Sequence, residues 1–244
     1  MQSGLYVALS SQMALERRIT TIADNMANIN TAGYRATEVK FDEVLSKTRN
    51  EMNAKVAFVS QGNDYLSTRS GSLDRTGNPL DVAVKGDAWL SIDTPNGQVL
   101  TRDGRLTIRE DGILVSTNGY PVLDAGGGQI ELNRAGGEIK IGADGAIVQD
   151  DRQIALMGLY TADISQGYLR HDNSGITTVA APQPVVNRSD AGIMQGYTEQ
   201  SNVNGISEMM QLIQVNRAFD SISSVMRETE STFGEAIKTL GGSR

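Results

Sequence analysis

The sequence predicts an α+β fold, mainly β, in which discontinuous N- and C-terminal helices form a coiled-coil-like domain and a central antiparallel β domain lies between them. Three observations point there. Fifteen of the 26 glycines fall between Gly62 and Gly145, whereas residues 1–45 hold only Gly4 and Gly33, and residues 206–244 only Gly234, Gly241 and Gly242. Apolar residues at both ends recur at helical spacing. In the middle, Asn-Gly and Asp-Gly pairs punctuate short apolar runs, and such pairs tolerate the positive φ that tight hairpins require.

At the N-terminus, Leu15, Ile19, Ile22, Met26 and Ile29 step by 4, 3, 4 and 3 residues, and the series extends back through Gln12 to Ala8 and Leu5. A 3.5-residue repeat is a narrow seam that asks for a partner helix. Ser3 is a suitable N-cap, and Asn30-Thr31-Ala32-Gly33 a suitable stop, because glycine adopts the left-handed conformation that closes helices. The C-terminal seam is longer: Leu212, Val215, Phe219, Ile222, Met226, Thr229, Phe233, Ala236 and Leu240. Asn204 stands where an N-cap belongs, and Glu208 sits in the first turn, where the helix dipole favours an anion. The two helices are expected to pack together, with residues 1–35 and 205–244 forming one helical assembly domain.

Residues 46–75 are polar and turn-rich with little periodicity, and residues 36–75 are expected to be an extended connector. Residues 76–204 read as the β domain. Apolar runs at 80–84, 89–92, 99–101, 106–108 and 113–115 alternate with turns at Asn96-Gly97, Asp103-Gly104, Asp111-Gly112 and Asn118-Gly119. Asp144-Gly145 is a further turn, and runs at 154–160 and 185–186 continue the pattern. Strands at this spacing suit a sandwich or open barrel.

Composition narrows the function. The chain has 244 residues with 22 Lys+Arg against 29 Asp+Glu, a net charge of -7, which excludes a broad basic footprint for nucleic acid. No cysteine is present and His171 is the one histidine, so disulfides, thiolate metal sites and histidine clusters are all excluded. The opening residues carry no basic stretch of the kind that begins a secretory signal, and no run reaches the length of a membrane span.

The chemistry-bearing residues do not assemble into a reactive set. Asp103, Asp111, Asp144 and Asp150-Asp151 fit no calcium loop and are expected to form turns. His171 has Asp172 beside it and Ser174 nearby, but sequence neighbours do not make a triad, and a surface-loop histidine is expected. Gly126-Gly127-Gly128 lacks the Lys-Ser/Thr of a phosphate cradle. No catalytic residue, metal or cofactor is expected, and with only 5% aromatic residues a glycan-binding surface is the weaker reading. Asn25, Asn28 and Asn30 near one helix end, and Asn202 and Asn204 near the other, are poor helix formers that suggest capping or hydrogen bonds between segments.

Four segments, in order, resemble one family, the axial proteins of the bacterial flagellar rod and hook. They are residues 24–34 (DNMANINTAGY), 76–87 (TGNPLDVAVKGD), the run of Thr101-Arg102-Asp103-Gly104 with 112–115 and Gly119-Tyr120, and finally Ser201-Asn202-Val203-Asn204 with Asn216-Arg217-Ala218-Phe219. The opening residues and short length are more similar to a proximal-rod subunit than to a distal-rod or hook subunit. The resemblance implies a non-enzymatic structural subunit of the basal-body rod. It implies helical polymerisation through the terminal helices into the axle that transmits torque across the periplasm. It implies export through the flagellar type III apparatus without a cleaved signal, and partners among other rod proteins and copies of itself, with no nucleic acid and no membrane insertion. The expected assembly interface is Leu15, Ile19, Ile22, Met26, Ile29, Leu212, Val215, Phe219, Ile222, Met226 and Phe233. The expected motif residues are Asn25, Asn28, Asn30, Gly33, Asn202, Asn204 and Arg217.

Overall fold

A computed structural model describes residues 2–40, 43–46, 56–59, 62–186 and 191–242. The fold is mixed α+β, mostly β, with two helices and antiparallel sheets. The chain divides into two compact units, one of Met1–Ala27, Thr37–Tyr65 and Asn204–Arg244, the other of Asn28–Ala36 and Leu66–Val203.

The first unit holds both helices, α1 (Gln2–Ala27) and α2 (Gly205–Gly241). Asn204 caps α2 by accepting a hydrogen bond from the Ser207 amide at 3.1 Å. α1 departs from expectation at both ends. It begins at Gln2, so Ser3 lies inside the first turn, and it stops at Ala27, before Asn30–Gly33. The early stop has a local cause. The Thr31 amide turns back to the Asn28 carbonyl and the Tyr34 amide to the Thr31 carbonyl, and Gly33 then takes φ +69°. The helices run antiparallel: Arg18 Nη2 donates to Gln211 Oε1, and Asn25, further along α1, bonds Glu208, earlier in α2. Short strands occupy part of the stretch expected as a connector, with Thr37–Lys40 beside Asn63–Leu66 and Glu43–Ser46 antiparallel to Val56–Val59.

The second unit is built on a six-stranded antiparallel sheet, in the order Tyr168–His171, Gly175–Thr178, Gly97–Thr101, Trp89–Thr94, Leu159–Thr161, Gln183–Pro184. Alternation along its central strands buries both faces. Leu90, Val99 and Leu159 point into the larger aliphatic core with Val82, Leu114 and Ile147, while their neighbours Trp89, Leu100 and Tyr160 join Leu66 and Ile176 on the other face. Smaller sheets surround it: Ile139–Ile141, Ala146–Gln149 and Arg152–Leu156; Leu106–Ile108 with Leu114–Ser116; Val82–Lys85 with Gly192–Gln195; and Leu73–Arg75 with Tyr197–Glu199.

Several turns differ from the sequence reading in instructive ways. Thr94 pairs with Gly97, so the tight loop is Pro95-Asn96 and Gly97 opens the next strand at φ +105°. Asp103-Gly104 makes no hairpin. Gly104 passes against the Val82 backbone, where an added Cβ would lie 1.7 Å from the carbonyl oxygen. The expected strand over 154–160 is broken at Met157-Gly158, leaving Arg152–Leu156 and Leu159–Thr161 in different sheets.

Candidate assembly site

The helix pair in the first unit carries most of the residues expected at the assembly interface. Of the seam residues, Ile22 (3% exposed) and Val215 (4%) are buried. Leu15, Ile19, Met26, Leu212, Phe219, Ile222, Met226 and Phe233 are half-buried, and Ile29 is exposed because α1 has already ended. α2 has 37 residues against 26 in α1. At 1.5 Å per residue its excess length is about 16 Å. Its last seam positions, Ala236 and Leu240, are accordingly exposed, Leu240 at 83%. A second apolar stripe on α2, comprising Ile206, Met209, Met210 and Ile213, lies open, as do Tyr6, Leu9 and Met13 on α1.

Asn25 is buried at the end of α1 and treats Thr37 as a strand partner. Its Nδ2 donates to the Thr37 carbonyl at 2.9 Å, and its Oδ1 accepts from the Thr37 amide at 3.0 Å. Burial raises the Glu208 carboxyl above the ordinary glutamate value. Its hydrogen bond to Asn25 and the nearby charge of Arg18 pull the other way, while Glu38 adds to the rise. Arg217 is exposed on α2.

In the second unit the remaining motif residues converge on the segment that follows α1. Asn28 Oδ1 accepts from Thr31 Oγ1, and Asn30 is exposed. The Gly33 amide donates to the Glu199 carbonyl at 2.8 Å. Gly33 is required here twice over. Its φ is positive, and a Cβ would sit 2.2 Å from the Asp103 nitrogen. Asn202 closes the far end: its Oδ1 accepts from the Ala36 amide at 2.7 Å, its Nδ2 donates to the Arg69 carbonyl at 2.7 Å, and its own amide donates to the Tyr34 carbonyl.

Between these bonds lies a buried ionic triad that spacing alone did not single out. Glu199 Oε1 meets Arg35 Nη2 at 2.9 Å, and Glu199 Oε2 meets Arg102 Nη1 at 3.0 Å, with all three side chains at most 3% exposed. The Gly71 amide also donates to Glu199 Oε1. Arg102 further donates to the Val84 and Gly86 carbonyls and lies 5.4 Å from the Trp89 ring. Arg35 donates to the Thr68 and Arg69 carbonyls, while Arg170 stacks over Tyr34 and donates to the Arg35 carbonyl. Burial pushes Arg35 down to about 10, with repulsion from Arg102 as the second cause and attraction to Glu199 opposing both. Burial lowers Arg102 as well, and Glu199 again opposes. Nothing in the spacing links residues 35, 102 and 199.

The remaining polar candidates are used locally. Asp103, Asp111 and Asp144 each accept from a backbone amide two residues on, and Asp150 and Asp151 take positive φ between two strands. Asp124 Oδ1 accepts from the Gly126 and Gly128 amides, which occupies the donors a phosphate would use. His171 ends a strand rather than sitting in a surface loop, and its side chain is 20% exposed beside Tyr120. Ser174 Oγ meets Thr101 Oγ1 at 3.3 Å. Among the described residues no group of three or more acidic or histidine side chains could hold a metal ion.

The flagellar basal-body rod protein FlgF of Rhizobium meliloti is 60% identical over 244 residues, covering all of both chains. This chain belongs to the flagellar basal-body rod protein family. FlgF of Mesorhizobium japonicum is 54% identical over 99% of each chain, and FlgF of Caulobacter vibrioides 34% over 99% of each. Three family descriptions match in order: "Flagella basal body rod protein" over residues 5–35, "Flagellar hook protein FlgE/F/G D1 domain" over 83–149, and "Flagellar basal body rod FlgEFG protein C-terminal" over 194–239. As a member of the rod family the chain is a structural protein that associates with other basal-body components. The triad takes one residue from each matched segment, Arg35, Arg102 and Glu199. No helix among the described residues is long and apolar enough to cross a membrane.

Proposed function

We propose that this rod-family chain is a non-enzymatic subunit that polymerises helically through α1 and α2, forming part of the axle that carries torque across the periplasm. In this reading residues 1–35 and 205–244 act as the assembly domain, residues 36–75 as connector, and residues 76–204 as a β domain. The partners are copies of itself and other rod proteins. The chain reaches them through the flagellar type III export apparatus without a cleaved signal, and neither membrane insertion nor nucleic acid is involved.

The observation that supports this most is the second apolar stripe. The Leu15–Ile22 and Leu212–Phe233 seams are buried or half-buried, yet Ile206, Met209, Met210 and Ile213 stay exposed off the seam of α2, and Ile237 and Leu240 stay exposed at its far end. Exposed apolar surfaces of this kind mark interaction sites. A head-to-tail contact that does not close on itself generates a helical assembly. Leu240→Asp and Ile206→Asp should therefore leave the monomer's melting temperature unchanged while abolishing swimming in soft agar. Wild-type motility in both variants would contradict the proposal.

A further inference from the structure

We infer that residues 28–36 form a latch on the β unit, locked by Glu199 and able to close only when residues 199–202 are in place. Ala32, Gly33, Tyr34, Arg35 and Ala36 are all buried although the segment has no helix or strand. Its backbone groups are satisfied from elsewhere in the chain. The Gly33 amide goes to Glu199, the Tyr34 carbonyl accepts from Asn202, the Ala36 amide goes to Asn202 Oδ1, and the Ala36 carbonyl accepts from the Ser67 amide. The Arg35 carbonyl accepts from Arg170. A segment held this way gains its order from distant partners together and not piece by piece, so it opens as one local unit.

Charge makes Glu199 the lock. Its carboxylate serves two buried guanidinium groups, and Asp87, the other anion acting on both, is exposed. Removing one partner of a buried ion pair leaves an uncompensated charge, whereas the sheet beneath depends on apolar packing of Leu90, Val99 and Leu159. The early segment 28–36 therefore has to wait for the late segment 199–202.

The test is hydrogen–deuterium exchange on the full chain, comparing the wild type with Glu199→Gln, which keeps the shape and loses the charge. Amides in residues 31–36 should exchange roughly tenfold faster or more, while residues 89–94 and 97–101 keep their protection. Unchanged exchange at 31–36 would overturn the latch. So would loss of protection in the sheet, including outright failure to fold, because Glu199 would then support the whole unit. Asn202→Ala is a milder probe of the same segment. Loosening confined to 31–36 supports a separate latch, and equal loosening of the sheet overturns it.

Discussion

Asn25 and Thr37 exchange two hydrogen bonds, side-chain amide to backbone, at 2.9 and 3.0 Å, as two facing residues of an antiparallel ladder would. The last turn of α1 thereby holds the strand Thr37–Lys40 without itself becoming a strand. Asn25→Ala removes both of these hydrogen bonds to Thr37 and should destabilise the helical unit by ~1–3 kcal/mol in urea unfolding. Asn25→Asp keeps the acceptor but turns an oxygen toward the Thr37 carbonyl. Its destabilisation should exceed that of Asn25→Ala at pH 7 and shrink at acid pH, where the carboxyl is protonated and can donate. An Asp variant as stable as wild type at pH 7 would contradict the paired-amide geometry.

Gly33 and Gly119 separate backbone strain from close approach. Both have positive φ, +69° and +83°, but a Cβ at Gly33 meets the Asp103 nitrogen at 2.2 Å while one at Gly119 meets nothing within 4 Å. Gly119→Ala should cost ~1–2 kcal/mol, the left-handed penalty alone. Gly33→Ala should cost more than ~3 kcal/mol, because overlap with backbone adds to the strain. Equal losses in thermal unfolding would mean the segment can retreat from Asp103.

Glu208 gives a pH signature. Its carboxyl is raised in the folded state, mainly by burial, so the native protein holds that proton more tightly than the unfolded chain does. Stability from this group is therefore fully present below the ordinary glutamate value and declines as pH rises through the raised folded value. Glu208→Gln removes the decline. The variant should unfold at a higher urea concentration than wild type at pH 7, with the difference vanishing in acid. A less stable variant at pH 7 would show that the helix dipole and Arg18 outweigh burial.

The Asp-Gly turns yield a metal test. Asp103 and Asp111 spend their carboxylates on their own turns and on Arg105 and Arg109. Treatment with chelator should leave the melting temperature unchanged, since a metal bound to the native state would raise it. A drop of several degrees would contradict the turn-forming role.

Hydrophobic period and turn chemistry are local signals, and what they encode was legible: both helices, the Asn204 cap and the hairpin turns at Asp111-Gly112 and Asp144-Gly145. The end of α1 was misread because the Asn28–Thr31–Tyr34 turn competes with the helix through side-chain and backbone bonds that carry no period. The strands between Thr37 and Leu66 are only four residues each, too short to show a period, and Val56–Val59 reads as one brief apolar run within a polar stretch. The pairing of Asn202 with Ala36 and of Glu199 with Arg35 and Arg102 spans more than 95 residues in each case, and spacing cannot record it. Ile222 illustrates the remaining gap. Its place in the seam was clear from sequence, while its half-burial within the chain required the helix pair itself.

Rod subunit identity is tested most directly by locating an epitope-tagged chain in purified hook–basal bodies by electron microscopy with antibody labelling. Label on the rod, between the ring structures, in cells whose motility the tagged chain restores, is the expected result. Basal bodies with complete rods that carry no tagged chain would contradict the assignment.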